Sequence, residues 1–230
     1  MSPTRQIDSS RSQTLDRGLS ALTIIATSKT PLTIHEVATH LGLGRSVTYR
    51  IIRTLEDHRL VTRDATGRLT GGTQLVALAG GVKNDMQTAA APILATLANL
   101  LGMTAFLVVS DGNAAVTVLV VEPTSTAAHV AYRPGTRHPL DRGAPGIALL
   151  AGDAPRASER VEINEARTSG WAYSESEVIE GMASIAAPVT TPNGATQAAV
   201  AIVHLVAGMD SSYVAPHVVE AARCLGIELA

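Results

Sequence analysis

Apolar residues recur at helical spacing twice in quick succession between Thr33 and His58, and the two runs are broken by Gly42-Leu43-Gly44. In the first run Ile34, Val37, Ala38 and Leu41 share a face, which predicts a helix over Thr33–Leu41 with Thr33 as its N-cap. Gly42 suits a left-handed C-cap, Leu43 a plug in the angle between helices, and Ala38 a close crossing. The second run predicts a helix over Ser46–His58, with Gly44-Arg45 leading in. At roughly 100° per residue, Val47, Thr48, Ile51, Ile52 and Leu55 fall on one side. Arg45, Ser46, Tyr49, Arg50, Arg53 and Asp57 fall on the other. Alone, such a helix is equally an ordinary amphipathic one with a solvated basic face. With its partner and its small-residue turn it reads as a helix-turn-helix, whose second helix fits a major groove.

The pattern on either side supports that reading. Leu60–Arg63 and Arg68–Thr70 flank Asp64-Ala65-Thr66-Gly67, a Gly-ended turn, and predict a β-hairpin. A hairpin directly after a recognition helix is a wing, with Arg63 and Arg68 near its tip and suited to phosphate or minor-groove contact. Upstream, Leu15, Leu19, Leu22 and Ile25 form a helical stripe that closes a small core. The expected organisation is a disordered start (1–13), a winged helix-turn-helix domain (14–71), a linker helix (72–84) and a second domain (85–230).

In that second domain the period changes. Thr88–Leu101 reads as a helix, followed by strand-like runs at Met103–Ser110, Ala114–Glu122 and Thr126–Tyr132. Pro145–Ala151 and Ala157–Thr168 read as helices, and Trp171 and Tyr173 alternate as on a strand. Met182–Thr190 and Thr196–Val206 return to strand around the turn Thr191-Pro192-Asn193-Gly194. Ser211–Gly226 closes the chain as a helix. Strands grouped around helices predict an α+β domain on an antiparallel sheet.

Charge separates the halves. Residues 1–83 carry 11 Lys+Arg against 6 Asp+Glu, a net of +5, and residues 84–230 carry 7 against 14, a net of −7. A basic head on an acidic body suits a duplex-binding module joined to something else. The single cysteine, Cys224, reads as a reduced core thiol and excludes a disulfide framework within one chain. The polar N-terminus lacks a signal region and no apolar run is long enough for a membrane span, so a cytoplasmic protein is expected.

These motifs resemble the IclR family of bacterial transcription regulators. LDRGLSALTIIA, LTIHEVATHLGLGRSVTYRIIRTLEDHRLV and GRLTGGTQLVALA look like its winged-helix pattern. RHPLDRGAPGIALLA and GWAYSESEVIEGMASIAAPV look like its effector-domain signature. The resemblance implies a DNA-binding head, a GAF-like domain that binds a small metabolite, dimers through the head, and tetramers as dimers of dimers. It matches Arg45, Ser46, Tyr49 and Arg50 to the recognition helix. It matches Gly146 and Ile147 to a pocket-lining Gly-Lys pair, with isoleucine where lysine is usual, and Ser184 to a ligand-contacting position. Ser174 stands where many members have aspartate, and Ala201 and Val203 stand where acid-binding members have serines. A lysine, a carboxylate and two hydroxyls are thus missing. Burying an anion without donors costs several kcal/mol, so the expected effector is less charged than a small dicarboxylate.

The expected DNA contacts are Thr33, Arg45, Ser46, Thr48, Tyr49, Arg50, Arg53, Arg63 and Arg68. The expected effector contacts are Gly146, Ile147, Ser174, Ser184, Ala201 and Val203. No cofactor, metal or catalytic residue is expected. His35-Glu36-Val37-Ala38-Thr39-His40 spaces its histidines five apart, which takes them off one helix face and away from zinc chemistry. Gly42-Leu43-Gly44 follows a helix and lacks the third glycine of a dinucleotide loop. His129, His138 and His204 are scattered, with His204 read as a hydrogen-bonded core residue. Asp141-Arg142 reads as a surface ion pair ahead of a pocket lip. No G-x-S-x-G elbow or carboxylate pair occurs. Six aromatic residues are too few for a single-strand stacking platform. The reading is a ligand-responsive regulator of a metabolic operon, with repression relieved by ligand expected and activation equally compatible with the sequence. The alternatives are an architectural DNA-binding dimer without effector and, behind it, an enzyme with a regulatory DNA-binding head.

Overall fold

Thr33 starts a helix because its hydroxyl accepts the Glu36 amide while the Glu36 carboxylate accepts the Thr33 amide, a reciprocal capping box. That helix, α2 (Ile34–Leu41), follows α1 (Gln13–Thr27) and precedes α3 (Arg45–Asp57). Gly42 ends α2 at φ 64°, its amide donating to the Ala38 and Thr39 carbonyls, a conformation only glycine adopts without strain. Strands β1 (Val61–Arg63) and β2 (Leu69–Gly71) pair antiparallel, and α4 (Gln74–Gly80) follows. Leu32 exchanges backbone bonds with Leu69 and ties the wing to the entrance of α2.

These features belong to a computed structural model that describes residues 12–80, 85–124, 126, 129–156, 158–208 and 210–230. The expected disordered start lies almost wholly outside them. The chain divides into two compact units, residues 1–83 and 84–230.

In the first unit Ala21, Ile25, Val37, Ile51, Ile52, Leu55, Val61 and Leu69 form the core. One expectation fails here. Leu22 and Ile25 pack inward, but Leu15 and Leu19 are 61% and 55% exposed. With Val47 they line an open apolar groove between α1 and α3.

In the second unit α5 (Asp85–Leu101) leads into a six-stranded antiparallel sheet. Its strands are β3 (Thr104–Asp111), β4 (Ala114–Val121), β5 (Arg137–Pro139), β6 (Ala172–Glu175), β7 (Met182–Thr190) and β8 (Thr196–Leu205), in the order β5-β4-β3-β8-β7-β6. Period-two alternation builds two cores. Ala105 and Leu107 of β3, Ile185, Ala187 and Val189 of β7, and Val200 and Ile202 of β8 face one layer. That layer holds α5 and α8 (Ser211–Glu228). Phe106, Val108, Ala186, Ala199, Ala201 and Val203 face the other, with α6 (Gly143–Gly152) and α7 (Val161–Ser169).

The sequence misplaces four pieces. Of the strand expected at Thr126–Tyr132, the described residues carry none, and the edge position beside β4 is taken by β5. Helix α7 begins at Val161 rather than at residue 157, after an extended Arg160. Cys224 is half-buried rather than core, with its thiol against the Glu220 carboxylate, and burial pushes that thiol up. His204 likewise sits half-buried at the end of β8, its Nδ1 3.1 Å from the Leu205 carbonyl.

Candidate nucleic-acid interface and effector recess

The outward face of α3 carries Arg45, Ser46, Tyr49, Arg50 and Arg53, all exposed, over a buried row of Thr48, Ile51, Ile52 and Leu55. A hydrogen bond from Arg53 to Tyr49, one turn back, raises the Arg53 pKa above its ordinary value. No side chain caps the start of α3 at Gly44, so its first amides stay available to a phosphate. The start of α2 is already closed by its capping box.

Four expected contacts are placed otherwise. Thr48 is fully buried and its hydroxyl donates to the Gly44 carbonyl, so it faces the core rather than a groove. Thr33 is spent on the capping box, its hydroxyl also donating to Glu36. Arg63 lies back against α3 and grips both oxygens of Glu56, at 2.5 and 3.1 Å. Arg68 donates to the Pro31 carbonyl at 2.9 Å. The wing tip instead carries Asp64, whose carboxylate accepts from Thr66 and Arg68 amides and is held below its usual range, first by the Thr66 hydroxyl. Basic character is therefore concentrated on α3. Glu56 lies seven residues before Arg63, and the fold-back of the wing across the end of α3 brings them together.

The second unit holds a narrow recess between the sheet and the start of α6, with about 30 Å³ of free space, room for roughly one water. Ser174, Ser184 and Val203, three of the six expected contacts, line it. The other three pack in the core behind it. Ile147 and Ala201 are fully buried, and a side chain on Gly146 would collide with the Leu140 carbonyl. Phe106 and Tyr132 form one wall, ring centroids 4.7 Å apart, and burial raises the Tyr132 phenol. His138, 7% exposed, forms another.

The mouth is covered by the β6–β7 loop, from which Glu177, Val178 and Ile179 contribute. Glu177 accepts the Gly143 amide at 2.8 Å and the Arg160 guanidinium at 2.9 and 3.1 Å. The Arg160 contact is the main reason its carboxyl sits below the usual range, against an opposing effect of burial. Ser174 accepts the Ala144 amide at 2.7 Å. Gly143 begins α6 at φ 73°, where a Cβ would lie 2.7 Å from Val178 Cγ2. Arg160 also binds Glu162 and the Asp141 carbonyl, so the expected Asp141–Arg142 ion pair gives way to a contact made by Asp141's backbone. Trp171 packs on the α5/α8 core and Tyr173 donates to Glu175, so neither lines the recess. Among the described residues no three His, Cys, Asp or Glu side chains group around a metal position. The Glu36 carboxylate of the His35–His40 segment is absorbed by the capping box. No helix of the described residues is long and apolar enough to cross a membrane.

A winged helix-turn-helix followed by a helix-flanked antiparallel sheet defines a two-unit DNA-binding regulator. The IclR helix-turn-helix domain matches residues 14–65 and the bacterial transcriptional regulator IclR C-terminal domain matches residues 156–226, so the chain belongs to the IclR family of transcriptional regulators. It is 29% identical over 209 residues to the glycerol operon regulatory protein of Streptomyces griseus, covering 77% of this chain and 78% of that one. Its fold matches the IclR transcriptional regulator of Alicyclobacillus acidocaldarius with a TM-score of 0.82 at 21% identity, over 96% of this chain and all of that one. It also matches an IclR homologue from Microbacterium hydrocarbonoxydans complexed with 4-hydroxybenzoate, at a TM-score of 0.78 and 20% identity, over 94% and 99% of the two chains.

Proposed function

We propose that this chain is a cytoplasmic, ligand-responsive repressor of a metabolic operon, and not an enzyme. Two copies present α3 to successive major grooves, with Arg45, Ser46, Tyr49, Arg50 and Arg53 as the DNA-contacting set. The observation that carries this is the exposed basic row of α3 above an uncapped helix start. The apolar groove left by Leu15, Leu19 and Val47 is where two heads pair, and dimers associate further into tetramers.

The effector enters the recess lined by Ser174, Ser184 and Val203. The 4-hydroxybenzoate bound to the Microbacterium homologue supports a small organic ligand in this fold. Val203, together with the absence of a lysine or arginine from the lining, supports one less charged than a small dicarboxylate. For such a ligand to act, it must bind the DNA-free and DNA-bound states unequally.

The small recess favours one alternative, an architectural DNA-binding dimer with no effector. Fluorescence anisotropy on the promoter DNA of the chain's own operon separates the two. A small, weakly charged metabolite releases the DNA from a ligand-responsive repressor. DNA held unchanged across panels of both charged and apolar metabolites establishes the architectural reading.

A further inference from the structure

We infer that the effector recess takes an uncharged ligand bearing a hydroxyl, a phenol or an aromatic alcohol, and that Glu177 sets this preference by filling the recess's anion seat with its own carboxylate. The inference rests on the effector reading above and names the ligand class of that same site.

The seat is the start of α6. A helix start offers backbone amides to an anion, but here both leading amides are taken. Gly143 donates to Glu177 and Ala144 to Ser174. No lysine or arginine lines the recess. The Arg160 guanidinium is turned onto Glu177, Glu162 and the Asp141 carbonyl. An incoming carboxylate would meet a like charge at the one place built to hold an anion, and no cation lines the recess to compensate it.

What remains unspent accepts or exchanges a hydroxyl proton. The His138 Nδ1 is 3.0 Å from the Pro139 carbonyl. A carbonyl can only accept, so in the neutral ring the proton sits on Nδ1 and the lone pair on Nε2. Ser184 donates to the Ile202 carbonyl at 2.7 Å, leaving its oxygen to accept. Ser174 accepts from Ala144 and retains its own O–H to donate. A ligand hydroxyl, both donor and acceptor, satisfies such a wall. A carboxylate brings acceptors alone. The Phe106–Tyr132 pair and Met182 supply the apolar face for a ring.

The free space of about 30 Å³ holds no such ring, so the ligand lifts the Ser176–Gly181 loop, whose Val178 and Ile179 are 40% and 39% exposed. A neutral ligand can do this while Glu177 keeps Arg160. An acid must replace Glu177 at Gly143 and lose that pair.

The test is isothermal calorimetry on the full chain with two probes of matched shape, 4-methylphenol and 4-methylbenzoate, for the native protein and for Glu177→Gln. Circular dichroism checks that the variant folds, and Glu177→Asp, which keeps the charge, serves as the conservative control. The native protein binds the phenol at least ten-fold more tightly than the acid. Glu177→Gln narrows that ratio several-fold, because the like charge at Gly143 is removed and Arg160, left with Glu162 alone, can attract the acid. Glu177→Asp stays close to native. An acid that binds the native protein as tightly as the phenol, or a ratio that Glu177→Gln leaves unchanged, overturns the role of Glu177 while the recess stands as a ligand site. Heat from neither probe, in any of the three proteins, overturns the recess as an effector site and this inference with it.

Discussion

Arg63 and Arg50 show how differently two arginines of one small domain are used. Arg63 is held bidentately by Glu56, an exposed pair of modest worth to stability but of consequence for charge, since it turns a phosphate ligand inward. Replacing Glu56 with glutamine frees that guanidinium. If it then reaches the backbone, one further phosphate contact steepens the slope of log K against log salt by about 0.9. Anisotropy titrations from 50 to 300 mM salt measure this; an unchanged slope means that Arg63 stays clear of DNA even when released. Side-chain partners of this kind are the least legible part of the chain. Helical projection places Arg45, Tyr49, Arg50 and Arg53 outward, as observed, because periodicity alone decides which face a residue occupies. It cannot show that Glu56 and Glu36 lie beside Arg63 and Arg68, since those meetings depend on where the wing folds. The same holds for Glu177, which finds Arg160 from seventeen residues away and Gly143 from thirty-four.

At the level of the element, the signals that proved reliable are those with a strictly local cause. The Thr33 cap, the left-handed Gly42 and the wing all form where the sequence places them, because the caps rest on neighbours within four or five residues and the wing on one short turn. The apolar β7 and β8 runs are legible for the same reason, with Met182–Thr190 matching to the residue. The edge strand β5 has three residues and no alternation to detect. It exists because β4 offers an open edge. Its expected substitute near residue 130 has suitable residues, yet the Val130 carbonyl accepts the Thr104 hydroxyl of β3 rather than a ladder amide. Leu15 and Leu19 fit the helical stripe yet lie exposed, because a stripe wider than the core it meets leaves a remainder for another surface. The capping box permits a direct check. Thr33→Ala removes the hydroxyl that accepts the Glu36 amide and costs about 1 kcal/mol of stability, read as a lower denaturant midpoint with an unchanged m-value. A midpoint equal to native means that α2 is held by packing alone.

For the whole molecule, the account joins a basic head of net +5 to an acidic sensing unit of net −7. The head's charge is modest, so under the proposed reading a single copy binds weakly and affinity comes from pairing. The groove between α1 and α3 supplies a surface for that pairing, and near-palindromic half-sites one helical turn apart follow from two-fold symmetry. The central claim is that α3 reads DNA. Its most direct test is an anisotropy titration of a fluorescent operator from the chain's own promoter, at one fixed salt concentration, with the native protein and with Arg50→Ala. Circular dichroism of both controls for folding. A lost bidentate base contact removes about 1–3 kcal/mol, so the account predicts affinity lower by roughly ten- to hundred-fold with the fold intact. Equal affinity for the two proteins would contradict it.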